Sequence, residues 1–266
     1  MRAEAALLLL LATGTALADE MPASVPHAAA LSKPRMNAML STLDGRQRNT
    51  GDYASLIYME QKQRDKVDTV FEALVYRRDA DQKLMILFTK PKAEAGKGYL
   101  RLDRNLWIYD PTVGKWERRT ERERIGGTNS RRSDFDQSRL ADEYDPADGG
   151  TAKLGPYTAR VLELKAKAGV DVEFPVVKLW VDEASGNLLK RQDFALSGRL
   201  IRTDYYPKWE RLRSESKGAD VWFPKEMHFF DEIDKANATQ ILIKSVDLRP
   251  LEANMFTKAW LESKSR

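Results

Sequence analysis

The sequence predicts a mainly β fold (α+β) built on one large antiparallel sheet of about ten strands. The sheet is expected to curve into an incomplete barrel whose concave face is covered by an N-terminal helix and a helical insertion. From Asp52 onward, apolar and polar residues alternate with a period of two in segments such as "VDTVFEALVYRR", as in half-buried strands. Compact turn signals such as Ser185-Gly186-Asn187 join consecutive segments. Turns this short connect antiparallel neighbours, because parallel strands need long crossovers.

The first residues have the order of a secretory signal peptide. One basic residue, Arg2, precedes a short apolar run, and Ala16 and Ala18 stand at the −3 and −1 positions before Asp19. The apolar run is well short of the roughly 20 residues that a membrane-spanning helix needs.

We therefore expect residues 1–18 to be a cleaved signal peptide, residues 19–33 a mobile leader and residues 34–266 a single domain. Cleavage would deliver the protein to the periplasm. The chain has no cysteine, so we expect neither a disulfide nor a lipid anchor on a cysteine.

The spacing of the apolar residues changes from a helical period in the N-terminal segment to the strand pattern that follows it. "PRMNAMLSTLDG" places Met36, Leu40 and Leu43 at helical spacing, and Pro34 suits a helix start. "QKLMILFTKP" is apolar on both faces, as expected of a central strand that is covered on both sides. The stretch "GKGYLRLDRNLWIYDPTVGKWERR" then predicts three short strands joined by tight turns.

Residues 125–140 break the strand pattern between the two halves of the sheet. "GGTNS" predicts a flexible loop, and "SDFDQSRLADEYD" predicts a short helix with Ser133 or Asp134 as its N-cap. Strands resume with "YTARVLELKAK", and "MFTKAWLES" closes the chain as a short helix or a last strand.

The residues that usually carry catalysis are scarce. His27 and His228 have no partner at metal-ligand spacing, and there is no thiol. Phosphate-binding glycine motifs are absent, and the acidic run "DEYDPADGG" lacks the ligand spacing of an EF-hand loop. We expect no enzymatic activity, no metal and no cofactor. An enzyme that uses a carboxylate pair hidden among the many acids remains an alternative.

Charge and aromatic content point to binding rather than to chemistry. The formal net charge is +4, too mild to predict a nucleic-acid partner for an exported protein. Aromatic residues fall on many of the predicted strands, and a curved sheet has more inner surface than one helix can cover. The excess can line an apolar cavity for an apolar ligand.

The sequence "LFTKPKAEAGKGYLRLDRNLWIYDPTVGKWERR" resembles the family of outer-membrane lipoprotein-sorting proteins related to the periplasmic carrier LolA. The family pattern falls here on Phe88, Pro91, Lys97-Gly98, Trp107-Ile108-Tyr109 and Pro111. A second similar block is Ser133-Asp134-Phe135, before which Arg131-Arg132 replace the family's usual Met-Gly or similar pair. The likeness extends through "VKLWVDEASGNLLKRQDF" and "MFTKAWLE".

The resemblance implies a LolA/LolB-like half-barrel and a non-catalytic periplasmic carrier. Such a carrier binds the acyl chains of a lipid or lipoprotein in an apolar cavity and hands the cargo to the outer membrane. The implied partners are an inner-membrane transporter of the RND or ABC type and an outer-membrane acceptor, and we expect a monomer. The alternative is an envelope scaffold or accessory protein of an RND-type exporter that has no lipid cargo of its own.

Strand parity and charge supply candidate residues for these roles. The predicted lipid-binding cavity comprises Phe71, Val75, Leu84, Ile86, Phe88, Leu100, Leu102, Trp107, Leu162, Leu164 and Trp180. The basic segment after the third short strand predicts partner docking through Arg118, Arg119, Arg122, Arg131 and Arg132. The insertion and the N-terminal helix are candidate lids, with Gly126 and Gly127 as the hinge.

Overall fold

In the computed structural model, residues 30–48, 51–102, 105–120, 123–135 and 138–265 are described, and within them the chain forms one sheet of thirteen antiparallel strands. The first arm of the sheet contains β1 (Asp52–Lys62), β2 (Thr69–Arg78), β3 (Lys83–Lys90), β4 (Gly98–Leu102), β5 (Asn105–Asp110) and β6 (Lys115–Arg119). The second arm contains β7 (Tyr144–Leu154), β8 (Tyr157–Ala166), β9 (Val176–Asp182), β10 (Leu188–Phe194), β11 (Leu200–Ser214), β12 (Ala219–Asp231) and β13 (Ala238–Asp247).

Each arm is a meander in which consecutive strands are neighbours, and the two arms meet where β1 pairs with β13. The two edge strands, β6 and β7, are consecutive in the sequence but lie at opposite ends of the sheet. The sheet is therefore not closed into a barrel. The segment that leads from one edge to the other crosses the face of the sheet and becomes part of the core.

The N-terminal helix α1 (Lys33–Arg48) covers the face that we call the inner face. It buries three apolar side chains at helical spacing, Met36, Leu40 and Leu43, and leaves most of its other side chains exposed or half-buried. It continues through Gly45 to Arg48. Packing of this one stripe against the sheet outweighs the low helix propensity of a single glycine.

The segment between the edge strands, which we call the cover segment (residues 123–135 and 138–143), also lies on the inner face. It contains a 3-10 turn at Ile125–Gly127 and two one-turn helices, α2 (Arg132–Phe135) and α3 (Leu140–Glu143). Ile125, Phe135 and Leu140 join α1 and the sheet in the main hydrophobic core.

The opposite, outer face of the first arm has a separate and smaller core. The C-terminal helix α4 (Lys258–Lys264) inserts the fully buried Leu261 beside Met85 and Leu100. Gly98 permits this close approach, because a Cβ atom there would lie 2.7 Å from Leu261 Cδ1. The closing segment is therefore a helix, one of the two forms that the sequence allowed.

The predicted fold class is confirmed, but the number of strands is larger than predicted. Strand β7 was not predicted, because its sequence "YDPADGGTAKL" is acidic and contains a proline and two glycines. An edge strand tolerates these residues, and a bulge between Asp148 and Thr151 accommodates the glycine pair. The predicted signal peptide, and the leader up to residue 29, lie outside the described residues.

Candidate ligand cavity on the inner face

Seven of the eleven predicted cavity residues share the inner face. They lie in the main core and are at most 7% exposed: Phe71, Val75, Leu84, Ile86, Phe88, Leu162 and Leu164. They come from β2, β3 and β8. The geometry brings them together as one apolar wall, and their contact with a lipid stays a prediction.

The other four point away from this wall, which corrects the expectation that all eleven line one cavity. Leu100 pairs across the strands with Met85 and with Trp107 and packs, together with Leu102, in the outer core. Tyr99 faces inward instead and pairs with Ile86. Both faces of this meander carry large apolar residues, so alternation alone did not identify the inner one, and a shift of one residue inverts the assignment.

Trp180 also lies on the outer face of the sheet. Its neighbour in the chain, Leu179, faces the main core opposite Leu162. The Trp180 ring instead contacts Lys190, whose Nζ is 4.4 Å from the ring centroid, and Lys178, at 5.6 Å. A tryptophan that lies between two lysines is not part of an apolar cavity.

A small cavity of about 50 Å³ remains on the inner face. Its lining is apolar on the side of the sheet around β1, β12 and β13, where Ile57, Phe223, Met227 and Ile243 meet. A second part of the lining is polar and comprises Arg46, Arg77, Asp134 and Tyr206. Ligand sites for small molecules commonly measure roughly 300–1,000 Å³, so this cavity has room only for a few water molecules. A second, more open cavity of about 600 Å³ lies between α1 and the second arm of the sheet, where its lining includes Met39, Arg160, Val181 and Asp182.

Beside the cavity, the inner face carries a buried charge cluster. The sequence pattern Arg-x-Asp occurs in two consecutive strands, and the register places Arg191 opposite Asp204 and Asp193 opposite Arg202. Arg202 donates from Nε to Asp204 at 2.6 Å, and Arg191 donates from Nε to Asp193 at 2.7 Å. We did not single out these residues from the sequence, although the repeated Arg-x-Asp on an otherwise apolar face is a signal that could have found them.

The cover segment completes this cluster with Asp134. Arg202 Nη2 lies 2.9 Å from each oxygen of the Asp134 carboxylate, and their side chains are only 5% and 9% exposed. Burial, together with the charges of Asp193 and Asp134, raises the pKa of Asp204 to about 7, although Arg202 opposes the shift. Burial disfavours the charge on Arg202, but Asp134, Asp204 and Asp193 outweigh it and raise its pKa.

Helix α1 is attached to the rest of the inner face mainly by polar contacts near its C-terminal end. The buried Asp44 carboxylate accepts hydrogen bonds from the backbone N–H groups of Leu140 and Ala141, both at 2.8 Å, and so caps α3. Arg46 donates to Asn187 Oδ1 at 2.5 Å and to the Ser185 carbonyl at 2.6 Å. The two covers are therefore linked to each other as well as to the sheet.

The cover segment is held against the sheet by hydrogen bonds from buried groups. The N–H of Asn129 donates to Thr239 Oγ1 at 2.8 Å and to Gln61 Oε1 at 3.1 Å. The predicted hinge residues Gly126 and Gly127 both have positive φ, and the N–H of Gly126 donates to the Tyr99 hydroxyl at 3.0 Å. A Cβ at Gly126 would meet the Phe88 ring at 2.9 Å. Their hinge role stays a prediction.

The five predicted docking arginines do not form one surface. Arg118 and Arg119 are exposed on the edge strand β6. Arg132 is only 8% exposed, and Arg131 forms an ion pair with Glu173 and lies over the Phe174 ring. The insertion lies in the core rather than on the surface, so these two arginines are removed from the predicted patch. Arg122 lies outside the described residues.

Within the described residues, no group of three or more His, Asp or Glu side chains could hold a metal ion. No helix in the described part of the chain is both long and apolar enough to cross a membrane. His228, one of the two histidines, bonds through Nε2 to Glu226 at 2.7 Å on its own strand.

An unclosed antiparallel sheet whose one face is covered by an N-terminal helix and an insertion is the architecture expected from the resemblance. A family model described as "uncharacterized protein" matches residues 80–263. The chain belongs to this family. No functionally curated protein matches it.

Solved structures agree with this fold. A LolA superfamily protein from Nitrosomonas europaea is 19% identical, with a TM-score of 0.68, and the match covers 87% of this chain and 100% of that one. A putative outer membrane lipoprotein-sorting protein domain from Vibrio parahaemolyticus is 16% identical, with a TM-score of 0.72 over 87% and 100% of the two chains. A DUF1329 family protein from Desulfovibrio piger is 18% identical, with a TM-score of 0.73 over 86% and 98%. The LolA-like resemblance is confirmed at the level of the fold.

Proposed function

We propose that this chain is a periplasmic carrier. It shelters the acyl chain of a lipid or lipoprotein between the inner face of the sheet and its two covers, and it releases the cargo unchanged to an outer-membrane acceptor. The observation that carries this proposal is the way the covers are attached. Two elements outside the sheet, α1 and the cover segment, cover the apolar wall. They are attached to each other and to the sheet by hydrogen bonds and ion pairs as well as by apolar contacts.

The enclosed cavity beside Phe135 is too small for an acyl chain, so burial of the chain at this place on the inner face requires at least one cover to move away from the sheet. Removing α1 exposes Met36, Leu40 and Leu43, at about 1.5–3 kcal/mol for each side chain. An acyl chain of about 16 carbons gains roughly 12 kcal/mol from burial, at about 0.8 kcal/mol per methylene, before the cost of ordering the chain. The acyl chain can therefore replace α1 in contact with the wall at little net cost in free energy. This near balance allows both uptake and release of the lipid.

The absence of native cysteine permits a direct test of cover movement. Asn129→Cys and Thr239→Cys place one thiol on the cover segment and one on β13, at positions where the Asn129 N–H and Thr239 Oγ1 are 2.8 Å apart. We expect the oxidised double variant to lose uptake of a fluorescent fatty acid and the same protein after reduction to regain it. Each single cysteine variant serves as the matched control.

Equal uptake by the oxidised and reduced forms would show that the cover segment does not need to open. Mass spectrometry of organic extracts from protein purified out of its native periplasm would then identify any cargo. Extracts without a stoichiometric lipid, together with failure of every form to take up the probe, would contradict the carrier proposal.

The small volume of the cavity supports a second candidate, an envelope scaffold or accessory protein of an RND-type exporter without lipid cargo. In this case α1 and the cover segment are permanent core elements. The two candidates differ in the cross-linking experiment, because a scaffold takes up no acyl probe in either redox state.

A further inference from the structure

We propose that Arg202 is the binding site for the anionic headgroup of the carried lipid, and that Asp134 occupies this site in the closed protein. The inference rests on the proposed carrier function and specifies its cargo. The cargo would be an amphiphile with an oxyanion head, a carboxylate or a phosphate, rather than a neutral lipid.

The geometry at Arg202 is that of a site occupied by an oxyanion. Its guanidinium donates from Nη2 toward both oxygens of Asp134 at 2.9 Å and from Nε to Asp204 at 2.6 Å. The guanidinium group is a planar donor fork that matches carboxylate and phosphate oxygens. Asp204 belongs to the sheet and stays with Arg202, whereas Asp134 belongs to the cover segment and leaves when that segment moves.

Departure of Asp134 leaves the Nη2 donors of Arg202 without this partner in a site that is otherwise enclosed. Arg202 keeps Asp204, but buried N–H donors that lose their acceptor are costly, so opening favours the entry of a replacement acceptor. The remaining cluster is balanced, because Arg191 and Arg202 face Asp193 and Asp204. Arg77 in the adjoining cavity pairs with Asp79, whereas Arg46 donates to the neutral Asn187 and Ser185 and therefore adds positive charge to the cavity wall. An incoming oxyanion restores the charge that Asp134 supplied.

The cavity connects this head site to an apolar tail site. Asp134 and Phe135 are both part of its lining, opposite Ile57, Phe223 and Met227 on the sheet. The Asp134 carboxylate resembles the charged head of an anionic amphiphile, and the adjacent Phe135 ring resembles its apolar tail. The cover segment therefore occupies the space that such a ligand would take. The head of the ligand would lie toward Arg202, and its tail would lie along Ile57, Phe223 and Met227.

The test measures binding of three probes to the full chain: palmitate, palmitoyl-lysophosphatidate and the neutral hexadecanol. We expect Asp134→Asn to bind the probes with a charged head at least about tenfold more tightly than the unaltered protein, because the internal competitor has lost its charge. Hexadecanol binding should not show this gain. Asp220→Asn, at an exposed acid on β12 that forms ion pairs with arginines of the neighbouring strand, is the matched control and should leave all three affinities unchanged.

Arg202→Lys provides an independent measurement if Asp134→Asn does not fold. It keeps the positive charge but removes the fork, and we expect it to weaken palmitate and lysophosphatidate by about tenfold without affecting hexadecanol. If only one of the charged probes responds, the head is assigned to that chemistry, carboxylate or phosphate. Binding of all three probes with no difference among the variants overturns the head site but leaves the carrier function. Binding of none of them contradicts both.

Discussion

The two faces of the sheet are covered in different ways. On the outer face, α4 is held mainly by apolar and aromatic contacts: Leu261 is fully buried, and Trp260 packs edge-on against Tyr76 with ring centroids 5.5 Å apart. Its polar contacts are part-buried: Trp116 Nε1–H donates to Glu262 Oε1 at 2.5 Å, and Lys258 lies over the Trp107 ring. On the inner face, the cover segment and α1 are held by apolar side chains and also by buried polar groups. Asp44 binds two backbone N–H groups of α3, and Asp134 binds Arg202.

This difference indicates which of the covering elements a ligand can displace. A helix held by apolar burial can leave only if its apolar surface is covered again, and water does not do this. A carboxylate that satisfies a guanidinium can be replaced by another oxyanion of the same shape. We therefore expect α4 to be a permanent part of the fold, while α1 and the cover segment are the elements that a ligand can displace.

The largest expected effect is on the outer face. Leu261→Ala should lower the free energy of unfolding by about 2–5 kcal/mol, because it leaves a cavity between α4 and the strands below it. Chemical denaturation measures this loss, and Ser263→Ala on the exposed side of the same helix is the control. A loss below about 1 kcal/mol would mean that α4 is as loosely attached as the inner covers.

The second effect concerns the junction between the two inner covers. Asp44→Ala removes the acceptor for the N–H groups of Leu140 and Ala141 and should cost about 1–3 kcal/mol. Hydrogen exchange should show increased exchange in α1 and α3 while the amides of β3 stay protected. Ser41→Ala, at an exposed position on α1, should change neither. Uniform loss of protection across the sheet would contradict the idea that the covers open separately.

The third effect is on the pH dependence of stability. Burial raises the pKa of Asp204 to about 7, so the folded protein binds this proton more tightly than the unfolded chain, whose Asp pKa is about 3.9. The stabilisation from this tighter proton binding is fully present below about pH 4 and is lost as the pH rises through about 7. Over this range the free energy of unfolding falls by at most about 1.4 kcal/mol per pH unit. Glu143, whose pKa burial also raises, acts in the same direction.

Denaturation at a series of pH values measures this slope. Asp204→Asn should flatten it, because the amide has the shape of the protonated acid and does not titrate. A slope that is the same in Asp204→Asn and in the unaltered protein would show that this carboxylate stays ionised in the folded state.

The smallest effect on stability is expected at the exposed edge strand. Reversing Arg118 and Arg119 to Glu should change the free energy of unfolding by no more than about 0.5 kcal/mol, because both side chains face solvent. If they dock a partner, the double variant should take up cargo normally but transfer it more slowly to acceptor membranes. Lys115→Glu on the same strand separates a specific contact from a general effect of charge. Unchanged transfer would remove the docking proposal.

The residues that face the cavity side of the sheet could be predicted from the sequence for some strands but not for others. Leu84, Ile86 and Phe88 lie on one face of a strand that is buried on both sides, so alternation placed them together. The same alternation failed at Leu100 and Trp107, because α4 supplies a second apolar environment on the other face. No local pattern announces that a helix about 150 residues later in the chain will cover a strand from outside. The pairing of Arg202 with Asp134 was missed for a related reason, since the two residues are 68 positions apart in the sequence.

The sequence by itself determined the class of the fold, the antiparallel pairing and the positions of most strands. These depend on local properties: the period of the apolar residues, the turn residues and the length of the connections. Only the tertiary structure decided which face of each strand is the inner one, that the cover segment is buried, and that its Asp134 pairs with Arg202. Those outcomes depend on contacts between distant segments, where covering both faces of the sheet and neutralising buried charge outweigh the preferences of any single segment.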